Sequence, residues 1–385
     1  MLAYFFVRFF GWTISCLPYS AIHAIGRITG SMVYYVYTPF RKKAMSNLAI
    51  AYGSQKSETE RKKIARQSFQ NLMITCLEFF RLKKKDLKHM IKMIDPEKVI
   101  SLQEKGQGIV FMSGHQANWE IPFLCLNMLS PDGIAVGRPI KNPRIYKWIM
   151  SVRQMNGGRV VMPRQAIKEG LKALRAGKYI GIVADQAFPE SDYSFPLFGT
   201  RAWSTTAPAL LAYKTHSPII VGTSHRMSGY YEVRGSSPIW PNYNLPMKEC
   251  VIDLMDRAYT HLEQSIKGSP DQWMWIHDRW KQQGIDHVKR IYRYGFILII
   301  VPNDEPAELR AHLKEIYPHS FLTFMTPEDD LTIRDWRYQL VLDFVGLPKV
   351  RRHFRKLGAV RAIPLTLKTM KQTLVKPECL HTVSF

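Results

Sequence analysis

The stretch Gly108-Ile109-Val110-Phe111-Met112-Ser113-Gly114-His115-Gln116-Ala117-Asn118-Trp119-Glu120 decides the fold. Its apolar run is typical of a buried strand, and Ser113-Gly114 predicts the turn that ends the strand. Pro122 suits the first turn of a helix, and the apolar residues after it predict that this helix is buried. His115 and Glu120 therefore flank a tight strand-to-helix connection. Because a carboxylate beside an imidazole fixes its tautomer and stabilises its protonated form, the pair predicts a His/Glu general base.

Strand-like and helix-like segments alternate after this connection. Buried strands are predicted at 133–137, 159–161 and 179–184, with helices between them. This rhythm predicts an α/β fold, a three-layer sandwich with a mainly parallel or mixed central sheet. His115, Arg138 and Asp185 each come directly after a predicted strand. If the strands are parallel, all three residues lie at one edge of the sheet, where α/β proteins build their sites.

Composition narrows the class of partner. The formal net charge of +23 indicates an acidic partner, which is nucleic acid, anionic lipid or an acidic carrier protein. The five cysteines lie far apart without a CxxC spacing, so the sequence indicates neither a zinc site nor a disulfide framework. A reducing compartment fits best.

The amino terminus is apolar and aromatic. Residues 1–19 form one apolar stretch, and a second, 28–40, stops at Arg41-Lys42-Lys43. A membrane-spanning helix needs about 20 apolar residues, so the first stretch is marginal and the second too short. No basic region precedes the first stretch, which argues against a signal peptide. We expect a membrane-associated helical segment over 1–52, with buried core helices as the alternative.

Local sequence patterns predict where several helices begin. Ser57 and Glu60 have capping-box spacing, and apolar residues at helical spacing predict an amphipathic helix from Glu60 to about Leu82. Asn142 and Pro143 predict the start of another helix. The basic run 81–88 indicates either a solvated face or contact with an anionic membrane.

Two aromatic segments and the C-terminal extension leave alternatives open. Residues 188–203 are predicted as a long loop that either covers an apolar tail or packs on itself. Trp273, Trp275 and Trp280 indicate either a lipid interface or a core cluster. We expect the main α/β domain to span residues 53–290. A small α/β appendage over 291–385 is predicted to contain strands at 296–301 and 321–325, a helix over 307–317 entered through Pro306, and a basic helical region at 351–356.

An ordered set of motifs resembles the bacterial lipid A late acyltransferases, the lauroyl/myristoyl family within the His-x4-Asp/Glu glycerolipid acyltransferases. The resemblance covers about residues 1–285. It departs mildly at Gln116 and at Ala184, where the family often has other residues. The matching segments are Gly114–Glu120, Arg138–Pro143, Asn156–Gly158, Ala184–Gln186, Pro196–Gly199, Thr205–Pro208 and Gln272–Lys281.

The resemblance implies transfer of a fatty acyl chain from acyl carrier protein to a hydroxyl of a Kdo-bearing lipid A precursor in lipopolysaccharide biosynthesis. It implies His115 as general base with Glu120 as support. No metal or other cofactor is implied, because a thioester already has a good leaving group. The implied partners are the carrier protein, the acidic glycolipid and the bacterial inner membrane, with the active site facing the cytoplasm and no nucleic acid. The residues implied to bind substrate are Arg138, Asn142, Asp185, Gln186 and Arg201.

Three alternatives stay open at this point. The first is an acyltransferase for another glycolipid or a lysophospholipid. The second is a hydrolase that directs the same His/Glu pair at water. The third, favoured only by charge, is a basic nucleic-acid-binding protein, which would need clustered bases and stacking aromatics on its surface.

Overall fold

A computed structural model describes residues 2–82, 84–283, 293–304 and 307–365. Pro306, Cys379 and the predicted domain boundary at 290/291 lie outside the described residues. The chain divides into two compact units. The first comprises Met1–Val33, Arg66–Gln186 and Thr205–Met274; the second comprises Tyr34–Ala65, Ala187–Ser204 and Trp275–Phe385.

The described residues contain thirteen α-helices and thirteen strands. The helices are α1 (Leu2–Ser15), α2 (Tyr19–Val36), α3 (Thr38–Tyr52), α4 (Glu58–Glu78), α5 (Lys84–Met90), α6 (Glu97–Glu104), α7 (Glu120–Leu129), α8 (Pro143–Arg153), α9 (Ala166–Arg175), α10 (Ala207–Thr215), α11 (Met247–Gly268), α12 (Ala307–Ile316) and α13 (Pro348–Lys356). The strands are β1 (Ile91–Ile94), β2 (Ile109–Ser113), β3 (Ile134–Val136), β4 (Arg159–Val161), β5 (Tyr179–Val183), β6 (Ser194–Leu197), β7 (Thr200–Trp203), β8 (Ile219–Arg226), β9 (Tyr231–Gly235), β10 (Phe296–Ile300), β11 (Phe321–Met325), β12 (Leu340–Asp343) and β13 (Arg361–Pro364).

The first unit is built on a mixed seven-stranded sheet, so the predicted α/β class is confirmed; the three-layer arrangement stays a prediction. The strand order is β1-β9-β8-β2-β5-β3-β4. Strands β8, β2, β5, β3 and β4 run parallel, while β9 runs antiparallel to β8 and pairs with β1. Because β2, β3 and β5 run parallel, His115, Arg138 and Asp185 follow them at one edge of the sheet, as predicted.

Local capping signals are confirmed where the side chains can satisfy free backbone donors. The Ser57 amide donates to Glu60 Oε2 at 2.7 Å, and the Glu60 amide donates to Ser57 Oγ at 3.2 Å. Asn142 Oδ1 accepts from the amides of Arg144 and Ile145 at the start of α8. Helix α4 ends at Glu78, earlier than the predicted Leu82, and is followed by a short 3-10 turn.

The second unit contains a four-stranded parallel sheet in the order β11-β10-β12-β13. The sequence predicted two of these strands and missed β12 and β13. The sheet encloses its own apolar core with α12, to which Ile297, Leu309, Leu313 and Leu342 contribute. Residues 294–365 therefore contain a packed α/β module.

The segment predicted as a loop over 188–203 contains a β-hairpin. Strands β6 and β7 pair antiparallel, and Leu197 is aligned with Thr200. Between them, Phe198 and Gly199 both have positive φ, at 50° and 75°. A two-residue turn with this backbone matches the twist of paired strands, so the connection closes a hairpin.

The structure bears on two predictions about membrane contact, one for the apolar amino terminus and one for three tryptophans. Among the described residues, no helix combines the length and apolar character that crossing a bilayer requires. Trp273, Trp275 and Trp280 are fully buried, so the core alternative holds for these rings.

Candidate active site

The connection between β2 and α7 is fixed by its backbone. Ala117 has a φ of 48°, and its amide donates to the Gln272 carbonyl at 2.8 Å. The Ala117 carbonyl accepts from Asn71 Nδ2 and Thr75 Oγ1 of α4. A non-glycine residue in this region of φ/ψ space is strained, and these bonds hold it there. The connection is therefore a rigid support for His115.

His115 is held by Asp185. The imidazole Nδ1 lies 2.7 Å from Asp185 Oδ1, and the backbone amide of His115 donates to Asp185 Oδ2 at 2.7 Å. Trp273 Nε1 also donates to Oδ2, at 2.8 Å. A side chain at Gly114 would place its Cβ 3.1 Å from Asp185 Oδ2, so the glycine leaves room for this carboxylate. With Nδ1 bonded to a carboxylate, a neutral imidazole carries its proton on Nδ1 and presents a basic Nε2.

Glu120 takes a different partner from the one predicted. Its two carboxylate oxygens accept from Arg153 Nε at 2.8 Å and Nη2 at 2.6 Å, a bidentate pair. The ring atom Nδ1 of His115 is already engaged by Asp185, because β2 and β5 are neighbours and their ends meet. The predicted hydrogen-bonded His115–Glu120 pair is replaced by two pairs, His115–Asp185 and Glu120–Arg153.

The electrostatics of the site raise the pKa of His115. Burial acts to lower this pKa, but the charge of Asp185 and its hydrogen bond raise it more. The charge of Glu120 adds to the increase, and that of Arg153 opposes it. Glu120 therefore acts on the imidazole through space, while Asp185 acts through direct contact.

A buried charge network lies behind the connection. Glu78, fully buried at the end of α4, accepts from His23 Nε2 at 2.6 Å, Asn118 Nδ2 at 3.0 Å and Arg226 Nη2 at 3.1 Å. It also accepts from the hydroxyl of Tyr231. Burial raises the pKa of Glu78, but Arg226, with the bonds from His23 and Tyr231, lowers it to about 2. The ionised carboxylate therefore ties Asn118, three residues after His115, to α4.

Replacing Glu78 with alanine is expected to lower the free energy of unfolding by about 3–5 kcal/mol, because Arg226 would remain buried without its carboxylate partner. Denaturant titration followed by near-ultraviolet circular dichroism measures this change. Glu104→Ala, at an exposed acid on α6, serves as the control and should change stability by less than about 0.5 kcal/mol. Equal free energies of unfolding for the two variants would contradict a stabilising role of the Glu78 network.

An apolar cavity lies next to Trp119, which follows His115 in the same connection. It lies between α7 and the sheet, and Phe111, Phe123, Leu126 and Val183 contribute to its wall. Trp119 also lines it, and the Trp119 ring packs edge-on against the His115 imidazole with ring centroids 5.3 Å apart. Trp119 therefore contacts both the apolar cavity and the imidazole.

The other predicted site residues are spread more widely. Arg138 is exposed at the same sheet edge, and Gln186 is exposed directly after Asp185. Asn142 uses its side-chain oxygen to cap α8. Arg201 lies on β7 of the second unit, where its guanidinium stands over the Trp203 ring at 5.6 Å.

Sequence reasoning missed Arg153 and Glu78. Arg153 lies at the end of α8, more than thirty residues from its partner Glu120, and no local pattern marks it. Glu78 carried a usable signal, since it is an acid inside the apolar run Ile74–Phe80. A charged residue in such a run on a buried helix face indicates a paired carboxylate.

This chain is similar to known proteins of one family. A family model described as bacterial lipid A biosynthesis acyltransferase matches residues 1–282. A lipid A biosynthesis lauroyltransferase of Escherichia coli (strain K12) is 26% identical over 284 residues, covering 70% of this chain and 88% of that protein. A lipid A biosynthesis palmitoleoyltransferase of the same organism is 23% identical over 286 residues, covering 71% and 89%. A lipid A biosynthesis acyltransferase of Shigella flexneri shows the same identity and coverage.

Proposed function

Because this chain belongs to the bacterial lipid A biosynthesis acyltransferase family, we propose that it transfers a fatty acyl chain from acyl carrier protein to a hydroxyl of a Kdo-bearing lipid A precursor. The observation that carries the proposal is the position of His115, which is held by Asp185 and packs against Trp119, a residue that lines an apolar cavity. A basic nitrogen next to an apolar wall suits a hydroxyl acceptor and a lipid donor. Neither substrate requires a cofactor, since the thioester supplies the leaving group.

The proposed reaction transfers one proton and one acyl group. Nε2 of neutral His115 takes the proton from the acceptor hydroxyl as its oxygen attacks the thioester carbonyl carbon. The tetrahedral intermediate collapses with cleavage of the carbon–sulfur bond, leaving the acceptor as an ester. The imidazolium then returns its proton to the departing thiolate. Asp185 stabilises the imidazolium through Nδ1 and keeps the ring oriented.

We propose that two arginines near His115 bind the acceptor's negative charge. Arg153 uses Nε and Nη2 for Glu120, and its Nη1 lies near Gly137, the residue before Arg138. The two guanidinium groups supply donors for a substrate phosphate or for the developing oxyanion. In this proposal Glu120 serves to hold Arg153 in place, in addition to its charge effect on His115.

The membrane is the proposed place of action. The acceptor glycolipid resides in a bilayer, and exposed Phe5, Phe6, Phe9 and Trp12 give α1 an apolar surface. We propose that the protein works at the bacterial inner membrane, on its cytoplasmic side, where the carrier protein delivers acyl chains. The net charge of +23 favours approach to both acidic partners.

The test of the function is a product assay. Purified protein is incubated with acyl-carrier thioesters of several lengths and a tetra-acylated lipid A precursor, and the products are weighed by mass spectrometry. A mass increase equal to one acyl chain supports the proposal. Release of free fatty acid at the full rate without acceptor would make the protein a hydrolase. Transfer only to a lysophospholipid would assign another acceptor.

The rate should depend on pH through His115. The base acts only when neutral, and Asp185 raises the His115 pKa above its ordinary value of 6.5 after the opposing effect of burial. We therefore expect kcat/KM to increase with pH through an apparent pKa above 6.5, and to fall about tenfold per unit below it. A pH series with saturating carrier thioester measures this. A flat profile between pH 5 and 8 would contradict a histidine base.

The cavity should limit the length of the acyl chain. Gly222 lines it, and a Cβ placed there meets no atom within 4 Å, so a larger side chain would occupy the cavity. Gly222→Leu is expected to reduce kcat/KM for the longest accepted chain about tenfold or more while sparing chains shorter by several carbons. Gly268→Leu, at an exposed glycine with equal room, is the control. Equal losses for all chain lengths would contradict an acyl site here.

A further inference from the structure

The C-terminal module carries a cationic helix. Helix α13 has the sequence Pro-Lys-Val-Arg-Arg-His-Phe-Arg-Lys, which contains no acid. Lys349, Arg352, Arg355 and Lys356 are exposed, and each is three or four residues from another of the four, so they lie on one side of the helix. Arg351 instead turns inward to the buried Asp343. The helix therefore separates one paired cation from four solvent-facing ones.

The basic start of α3 extends this surface within the second unit. Lys42 Nζ donates to the carbonyl of Ala359, just beyond α13, at 3.3 Å. Burial lowers the pKa of Lys42, and the positive charges of Arg355 and Arg41 lower it further. Arg41 donates to the Tyr35 carbonyl and Arg355 to the Ala362 carbonyl. Within the described residues, Lys42, Arg41 and Arg355 have carbonyl partners and no carboxylate partner, so their charges repel one another without compensation.

Large apolar side chains border these cations. Four residues shortly before Arg41 are exposed: Tyr35 by 58%, Val36 by 79%, Tyr37 by 50% and Phe40 by 37%. Cations beside exposed aromatic and aliphatic groups match the two layers of a bilayer interface, where phosphates lie above apolar chains. A soluble acidic partner would account for the cations but would leave Val36 and the rings in water.

We propose that four exposed cations of α13, together with two half-buried cations at the start of α3, form a docking face for the anionic headgroups of a bilayer. This cationic face consists of Arg41, Lys42, Lys349, Arg352, Arg355 and Lys356. The C-terminal module supplies four of the six, and it lies beyond residues 1–282, which the family model matches. The role of the module is therefore to add electrostatic membrane contact to a chain that already exposes apolar side chains. This inference concerns where the protein docks and does not depend on the reaction proposed above.

The test measures vesicle binding by the full-length protein. Sedimentation is compared for vesicles of pure phosphatidylcholine and vesicles in which one-third of the lipid is phosphatidylglycerol. The test variant carries Arg352→Gln, Arg355→Gln and Lys356→Gln. The matched control carries Lys168→Gln, Lys172→Gln and Arg175→Gln, which neutralise three exposed cations of α9. Equal thermal midpoints for all three proteins establish that they fold alike.

We expect the wild-type protein to prefer the anionic vesicles, and the test variant to lose roughly 100-fold of that preference, about 5-fold per cation. Binding to neutral vesicles should not change, and the control should keep most of the preference. Retention of the full preference by the test variant, or an equal loss in the control, would overturn the proposal. So would weaker binding of the test variant to acyl carrier protein with unchanged vesicle binding, which would assign the face to an acidic protein. An assay on detergent-dispersed acceptor should show wild-type turnover in the test variant. This result would separate a defect in membrane docking from a defect in catalysis.

Discussion

Replacing His115 with alanine should lower kcat by about 10²–10⁴-fold, the usual contribution of a positioned acid/base group. The substitution removes Nε2, which takes the hydroxyl proton in the proposed reaction. It leaves Asp185 bonded to the His115 backbone amide and to Trp273, so the local structure should persist. Initial rates of ester formation with acyl-carrier thioester measure the effect.

The control for this variant is His261→Ala, because His261 is exposed on α11. It should retain wild-type rates. Both variants should show the circular dichroism spectrum and the thermal midpoint of the wild-type protein within a few degrees. A His115→Ala protein that folds normally and keeps more than about a tenth of the wild-type rate would exclude His115 as the base.

Replacing Asp185 with asparagine should reduce turnover by up to about 10⁴-fold through the wrong imidazole tautomer. The asparagine oxygen can occupy the place of Oδ2 and keep the donors from the His115 amide and Trp273. Its amide nitrogen would then face Nδ1, which must become an acceptor. The ring proton moves to Nε2, and the atom that should take the hydroxyl proton is already protonated.

This loss can be distinguished from misfolding. Nitrogen NMR of labelled histidine reports which ring nitrogen carries the proton, and the two proteins should differ there while their unfolding midpoints agree. A wild-type tautomer in the Asp185→Asn protein, combined with full activity, would contradict the assigned contact. Loss of folded structure would make the variant uninformative, in which case Asp185→Glu, which keeps the charge, replaces it and should retain part of the activity.

The sequence predicted correctly which residues follow the parallel strands at one sheet edge, but not which acid hydrogen-bonds His115. The ends of parallel strands lie at one edge of a sheet, and this rule correctly placed His115, Arg138 and Asp185 at the same edge. The choice of Glu120 as the partner of His115 used nearness in sequence, five residues apart. The partner in the structure is seventy residues away. Which acid reaches the ring depends on the order of strands in the sheet, and single-sequence patterns do not determine that order.

In the rest of the chain, local helix caps were predicted correctly, while a distant ion pair and a hairpin turn were missed. Ser57–Glu60 and Asn142 were predicted correctly because a cap satisfies backbone amides within three residues. Arg153 was missed because its pairing with Glu120 joins two helices that are separate in the chain. The hairpin at Phe198-Gly199 was missed because phenylalanine rarely adopts positive φ, so the residue type gave no sign of the turn.

The central claim is that Asp185, and not Glu120, orients His115 as the base of an acyl transfer. The most direct test is the pH dependence of kcat/KM for Asp185→Asn and Glu120→Gln, measured beside the wild-type protein. Asp185→Asn should show the larger loss of kcat/KM. Its apparent pKa should also lie further below the wild-type value than that of Glu120→Gln, because Asp185 raises the His115 pKa more than Glu120 does. A larger loss and shift in Glu120→Gln, with Asp185→Asn close to wild type, would contradict the account.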